Sequence, residues 1–252
     1  AYKAVEESVQ NPQKYYDNNI GSLKVLLQCM QESNIKNIIF SSSCTVYGMP
    51  DLLPVDENAP FKKAESPYGE TKQLCEKLLK NKDVNSISLR YFNPIGSHQS
   101  SLIGDCSNDN ASNLVPILTE TAIGKRDKII VFGNNYNTPD GTCVRDYIHV
   151  MDLVKAHLKA CEKLTKIGGY DEYNLGNERG YSVMDVISEC ENVINEKIKY
   201  NIKNRRSGDP DTLISDSTKA ISQLNWNIKK SSLKDIIKSA WNWHKYIHTI
   251  TA

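Results

Sequence analysis

Tyr68 and Lys72 stand four residues apart in the stretch Tyr68-Gly69-Glu70-Thr71-Lys72, and on a helix that spacing puts both on one face. A free tyrosine phenol titrates near 10, too high for a base at neutral pH. A neighbouring ammonium and the positive end of a helix both favour the phenolate. Lowering the pKa by about 3 units takes about 4 kcal/mol of differential interaction, part of which a cationic cofactor beside the pair would supply. The pair is therefore a candidate for removing a proton from a hydroxyl. The alternative is an exposed helix face, which routinely carries both residue types.

Ser41-Ser42-Ser43 follows the apolar run Ile38-Ile39-Phe40. Three hydroxyls in a row suit a sheet interior poorly unless each finds a partner. They fall at the carboxyl end of an expected strand, where open α/β sheets bind ligands. Local bonding of hydroxyls to the backbone at a strand end is the other explanation. Arg145-Asp146 and Arg205-Arg206-Ser207-Gly208-Asp209 offer guanidinium forks that match phosphate oxygens, or else surface ion pairs. The five histidines form no metal-ligand spacing, and no metal site is expected.

The elements that must position these groups alternate. Residues 16–33 predict a helix with Ile20, Leu23, Leu26, Leu27 and Met30 on one stripe. A strand follows, expected to be buried on both faces. Ser66 and Pro67 predict an N-cap and first helical position, and Ser86–Phe92 the next strand. Helix, strand, helix, strand is the signature of a parallel sheet with covering helices. Further on, helices are predicted at 114–123, from Asp152 as cap with Leu153, His157, Ala160, Cys161 and Leu164 inward, after the capping box Ser182-Val183-Met184-Asp185, and at 232–247. Strands are predicted at 129–132, 147–150 and 172–175.

The chain has 252 residues, with 31 Lys and Arg against 30 Asp and Glu. A net charge of +1 excludes a strongly basic nucleic-acid binder and an acidic disordered chain. Mean hydropathy is −0.49, and no apolar run approaches the roughly 20 residues of a membrane span. No secretory leader pattern is visible. Cys29, Cys44, Cys75, Cys106, Cys143, Cys161 and Cys190 form no paired spacing, and an odd, scattered set predicts free thiols in a reducing, cytoplasmic compartment.

Six segments taken together resemble the extended short-chain dehydrogenase/reductase family: Ser41–Gly48, Ser66–Lys72, Leu89–Gly96, Phe132–Gly133 with Asp140–Asp152, Tyr173–Gly176 and Arg205–Asp209. They occur in the family's order and cover nearly the whole chain. The run Gly141–Leu153 looks like the branch that epimerises UDP-sugars at C4, rather than the sugar-nucleotide dehydratases. The resemblance implies NAD as cofactor and interconversion of UDP-glucose and UDP-galactose, in galactose metabolism, by a homodimer that needs no nucleic acid or membrane. Tyr68 would be the base on O4, Lys72 would hold the nicotinamide ribose, and Ser43 would hydrogen-bond O4. Lys3, Asn18 and Tyr91 look like further cofactor contacts. Asn93, Asn113, Leu114, Ile130, Phe132, Arg145, Arg206 and Asp209 look like contacts to the UDP part, and Leu213 like the residue limiting space beside the sugar's C2 group. Departures from the family pattern are Ser112, Cys44 and Cys143, none of them a catalytic group. A dehydratase or decarboxylase of the same family, or a non-catalytic binding module, is the alternative.

The implied fold is a Rossmann-type doubly wound parallel sheet with a smaller mixed α/β substrate domain. Residues 1–92, with 146–176 returning to them, are expected to form the cofactor-binding part; 93–145 and 177–252 the sugar-nucleotide part. Such a fold opens on a Gly-rich turn, yet the first glycine is Gly21, inside a helical pattern. With Ala1 in first place, the chain is expected to lack about three βα units, or about 90 residues, at its start, and with them half of the cofactor site.

Overall fold

The computed structural model describes residues 1–105, 111, 113–206 and 208–251; Cys106, Ser112 and Ser207 lie outside them. In chain order the elements are α1 (Val5–Gln10), α2 (Pro12–Tyr15), a π-helical turn (Tyr16–Ile20), α3 (Gly21–Glu32), β1 (Asn37–Ser43), a 3-10 turn (Cys44–Tyr47), α4 (Pro67–Lys80), β2 (Asn85–Tyr91), β3 (Asn93–Ile95), α5 (Leu114–Ala122), β4 (Ile129–Phe132), β5 (Val144–His149), α6 (Val150–Leu164), β6 (Tyr170–Leu175), β7 (Gly180–Ser182), α7 (Val183–Ile194), β8 (Tyr200–Lys203), β9 (Thr212–Leu213), α8 (Thr218–Gln223) and α9 (Leu233–Thr251). They gather into two compact units. One holds Ala1–Phe92, Ala156–Leu175 and Ser215–Trp226; the other holds Asn93–Lys155, Gly176–Ile214 and Asn227–Ala252.

The first unit is built on a parallel sheet in the order β1-β2-β6. Ser41 stands opposite Leu89, and Leu89 opposite Tyr173. Leu23, Leu27 and Met30 of α3 pack on Cys75 and Leu79 of α4. Leu79 is wholly buried, and burying such a side chain contributes about 1.5–3 kcal/mol. Two expectations change here. β1 is only partly covered over Asn37–Ser41, because among the described residues it pairs on one side only. The helix expected from residue 16 begins its α-winding at Gly21, and Leu26 points outward.

Asn19 accounts for the irregular turn before α3. Its side chain accepts the Tyr2 N–H at 2.7 Å and donates to the Tyr2 carbonyl and to Thr71 Oγ1. Its carbonyl accepts the Cys75 thiol at 3.6 Å. Those bonds compete with the regular i to i+4 ladder, and a π-turn accommodates them.

The second unit carries a sheet in the order β3-β5-β7, with β9 also paired to β5, and a two-stranded pair β4-β8. Its core joins Leu118 of α5, Val186 and Cys190 of α7, and Ile236 and Ile237 of α9. Ser182 and Asp185 form the expected capping box. Asp152 is not the cap of its helix: α6 begins at Val150, and Nδ1 of His149 accepts the Met151 N–H. The buried Asp152 carboxylate instead accepts Lys229 N–H, Lys230 N–H and Ser231 Oγ–H at 2.6–3.0 Å. Cys161, expected inward, is exposed, while Ala160 and Leu164 are buried. The short strands β3, β7, β8 and β9 carry no periodic signal of their own. No helix among the described residues is long and apolar enough to cross a membrane.

Candidate active site

Ser43 closes β1 in extended conformation and starts the 3-10 turn, its Oγ accepting the Thr45 N–H at 3.3 Å. An oxygen already accepting from the backbone leaves the hydroxyl hydrogen to be donated. α4 begins as its residues predict: Ser66 Oγ accepts the Gly69 N–H at 3.1 Å, with Pro67 behind it. Gly69 permits a close approach, since a Cβ there would lie a tight 3.1 Å from the Thr45 carbonyl oxygen. This contact brings the first turn of α4 against the turn that follows Ser43. Gln73 tightens it by donating to the carbonyls of Val46 and Lys62, both at 2.7 Å.

Tyr68 and Lys72 stand one turn apart on α4, but they do not form the pair that the spacing suggests. The Lys72 side chain, 5% exposed, donates from Nζ to the Ser41 carbonyl at 2.7 Å. Nζ also lies 4.8 Å from the centre of the Phe40 ring and 5.7 Å from that of Tyr68. Burial pushes the Lys72 pKa down, opposed by Cys75 and Glu76. Tyr68 departs from the expectation of a lowered pKa: burial pushes its phenol up to about 12, only partly offset by the Ser43 side chain. Desolvation of the phenolate outweighs what the chain offers in charge. Lowering that pKa to near neutral pH would take on the order of 7 kcal/mol.

Glu76 extends the same face of α4 by one more turn. Its carboxylate accepts from Arg90 of β2, with Nη2 to Oε2 at 2.7 Å, from Tyr170 Oη at 2.9 Å, and from Ser42 Oγ. Both charged groups are nearly inaccessible, 2% and 4% exposed. This ion pair locks α4 to β1 and β2. The sequence signal was present but weak: an acid four residues after Lys72, and a lone arginine inside a strand pattern.

A buried ammonium has three hydrogens to place, and the Ser41 carbonyl is the one hydrogen-bond acceptor it has among the described residues. Unspent donors at the carboxyl end of a parallel strand fit the hydroxyls of a nucleotide ribose. Lys72 is thus suited to hold a dinucleotide such as NAD. Of the other expected cofactor residues, Lys3 is exposed, and the Asn18 side chain donates to its neighbour Asn19. Tyr91 ends β2 half-buried, its Oη donating to Ser41 Oγ at 2.7 Å.

The expected nucleotide residues all lie in the second unit, in four places. Arg145 Nη2 meets Asp209 Oδ1 at 3.2 Å and Nη1 donates to the carbonyls of Val144 and Pro210; Leu213, buried, stands opposite Arg145 in the β5-β9 pair. Arg206 lies over the Phe132 ring at 3.9 Å, with Ile130 two residues before Phe132 on β4, partly exposed. Asn93 Nδ2 donates to the Asp146 carbonyl at 2.7 Å, whereas Asn113 and Leu114 stand at the start of α5, and Asn113 makes no side-chain cap. Tyr136 is a residue not anticipated: the guanidinium of Arg205, one of the expected phosphate forks, lies 3.6 Å from its ring centre and pairs with Asp211.

Residues 1–176 match the model of the NAD dependent epimerase/dehydratase family, and the chain belongs to that family. Among curated proteins it is similar to the UDP-glucose 4-epimerase of Dictyostelium discoideum, 44% identical over 247 residues, which are 96% of this chain and 71% of that protein. Among solved structures it is similar to the UDP-glucose 4-epimerase of Bifidobacterium longum in complex with NAD+ and UDP (42% identity, TM-score 0.93, 98% of this chain and 74% of that one). The enzyme of Stenotrophomonas maltophila with bound NAD and formylated UDP-arabinopyranose is also similar (38%, TM-score 0.94, 99% and 75%).

Proposed function

We propose that this chain carries the reacting residues of an NAD-dependent UDP-sugar 4-epimerase, and that its substrates are UDP-galactose and UDP-glucose. The observation that carries the reading is the convergence of Ser43, Tyr68 and Lys72 at the carboxyl end of β1, with Lys72 docked on the Ser41 carbonyl. Relatives that are UDP-glucose 4-epimerases, two of them solved with NAD, support it.

The chemistry that bound NAD supplies is reversible hydride exchange at C4 of the sugar. Tyr68, as phenolate, takes the proton from O4 as the C4 carbonyl forms, and returns it when the carbonyl is reduced from the opposite face. Ser43, whose oxygen already accepts from Thr45, donates its hydroxyl hydrogen toward O4 or the phenolate. Lys72 holds the ribose through its unspent N–H groups and adds positive charge 5.7 Å from the Tyr68 ring. Because burial, only partly offset by Ser43, holds the Tyr68 pKa at about 12, the phenolate forms near neutral pH only with further positive charge beside it. Base and cofactor are thereby coupled. In the second unit, Arg145, Arg206 and Asp209 are the candidates for the nucleotide, and Leu213 for the C2 side of the sugar.

Incubation with UDP-galactose and NAD+, followed by NMR of the products, tests this reading. UDP-glucose is expected, approaching the same mixture from either sugar. A 4-keto-6-deoxy sugar or released carbon dioxide would assign the chain to a dehydratase or decarboxylase instead.

A further inference from the structure

Arg90 points from β2 toward α4, so Tyr91, the next residue, projects from the opposite face of the sheet. There its phenol stands between two partners. Tyr91 Oη donates to Ser41 Oγ at 2.7 Å, and Nε2 of His157 lies 2.6 Å from the same oxygen. The imidazole and phenol rings are tilted by 53°, with centres 5.5 Å apart. A phenol has one hydrogen to give. With that hydrogen on Ser41, the second contact takes its hydrogen from His157, and a directed chain runs from Nε2–H to Oη–H to Oγ. Hydrogen bonds aligned in one sense strengthen each other.

Ser41 is where this chain meets the reacting groups. Its side chain accepts from Tyr91, and its carbonyl accepts from Lys72 Nζ at 2.7 Å. Tyr91 is also among the groups that weigh on the phenol of Tyr68. His157 comes from α6, far along the chain, and none of the cofactor or nucleotide roles considered above uses it.

We propose that His157 is a positioning residue for the Tyr68–Lys72 site: it fixes Tyr91, Tyr91 fixes Ser41, and Ser41 seats the ammonium of Lys72. This rests on the site being that of a UDP-sugar 4-epimerase. Losing His157 loosens the seat of Lys72 without touching the nucleotide residues, so turnover suffers and substrate affinity does not.

Steady-state kinetics on UDP-galactose with the NAD-loaded enzyme tests the proposal. His157→Leu is expected to lower kcat about tenfold, the scale of one lost hydrogen bond, with KM within about twofold. His157→Gln keeps a side-chain N–H and is expected to recover to within about threefold of the wild type. Tyr91→Phe breaks the same chain, so His157→Leu combined with Tyr91→Phe is expected to do no more damage than the worse single variant. Imidazole nitrogen NMR gives a readout apart from turnover: Tyr91→Phe should shift the His157 Nε2 signal. Wild-type kcat in His157→Leu, multiplied losses in the double variant, or His157 signals indifferent to Tyr91→Phe would each overturn the proposal. If Tyr68→Phe abolishes turnover in the same series, such a failure belongs to His157 alone; full turnover in Tyr68→Phe overturns the epimerase reading itself.

Discussion

Lys72 sits one helical turn beyond Tyr68, yet its ammonium reaches the Ser41 carbonyl at 2.7 Å and stays 5.7 Å from the centre of the tyrosine ring. The tyrosine and lysine of this helix therefore act from separate anchors: the phenol beside Ser43, the ammonium on β1. With the ammonium held away from it, burial dominates the phenol, and on the proposed reading its phenolate forms only with further positive charge beside it.

The pH dependence of stability follows from that burial. The Tyr68 pKa is raised from 10.0 to about 12, and Tyr16, hydrogen-bonded to Glu70, is raised to about 12 as well, first by burial. A raised pKa contributes stability that is whole below the unfolded value and is lost as pH rises through the folded one. Thermal midpoints are thus expected to decline between pH 10 and about 12. The decline should be shallower in Tyr68→Phe, with Tyr16 supplying part of the remainder. Identical slopes in the two proteins would contradict the assignment of a buried neutral phenol to Tyr68.

The Glu76–Arg90 pair gives a prediction about folding. Arg90→Met leaves the Glu76 carboxylate buried without its cation and is expected to cost about 3–5 kcal/mol, read from urea denaturation. Adding Glu76→Leu should restore much of the loss, because an apolar pair avoids the desolvation of both ions. A loss below about 1 kcal/mol for Arg90→Met would put the pair among weak surface bridges.

The α4 site was legible because its signals are local. The Ser66 cap, Pro67 and the Tyr68–Lys72 spacing lie within seven residues, and helix geometry converts that spacing directly into a shared face. The capping box at Ser182 was legible for the same reason. What the residues did not disclose is long-range: the acceptor that Lys72 chooses, the Arg90 partner of Glu76, and the His157 partner of Tyr91. Asp152 looked like a cap because acids favour helix starts. Its carboxylate is instead claimed by backbone N–H groups 77 and 78 residues away. β3, β7, β8 and β9 escaped notice because their two to four residues show no period, whereas β4, equally short, was legible as the apolar run Ile129–Phe132.

On the proposed reading, Leu213 limits the space beside C2 of the sugar. It is buried, and the β5-β9 pairing holds its backbone opposite Arg145. UDP-N-acetylglucosamine is expected to turn over well below UDP-glucose, and Leu213→Ala to narrow the gap; a steric difference of this size is worth about 10–200-fold. Equal rates on both sugars in the wild type would remove Leu213 from the specificity argument.

Turnover of UDP-galactose by Tyr68→Phe, compared with the wild type under NAD saturation, tests whether the Tyr68 phenol is the base at O4. The substitution removes one hydroxyl and keeps the ring that packs beside Ser43. A fall in kcat of at least about 100-fold, the scale of a lost general base, is expected with the protein still folded. Turnover equal to the wild type would contradict it, since proton transfer at O4 would then proceed without the phenol.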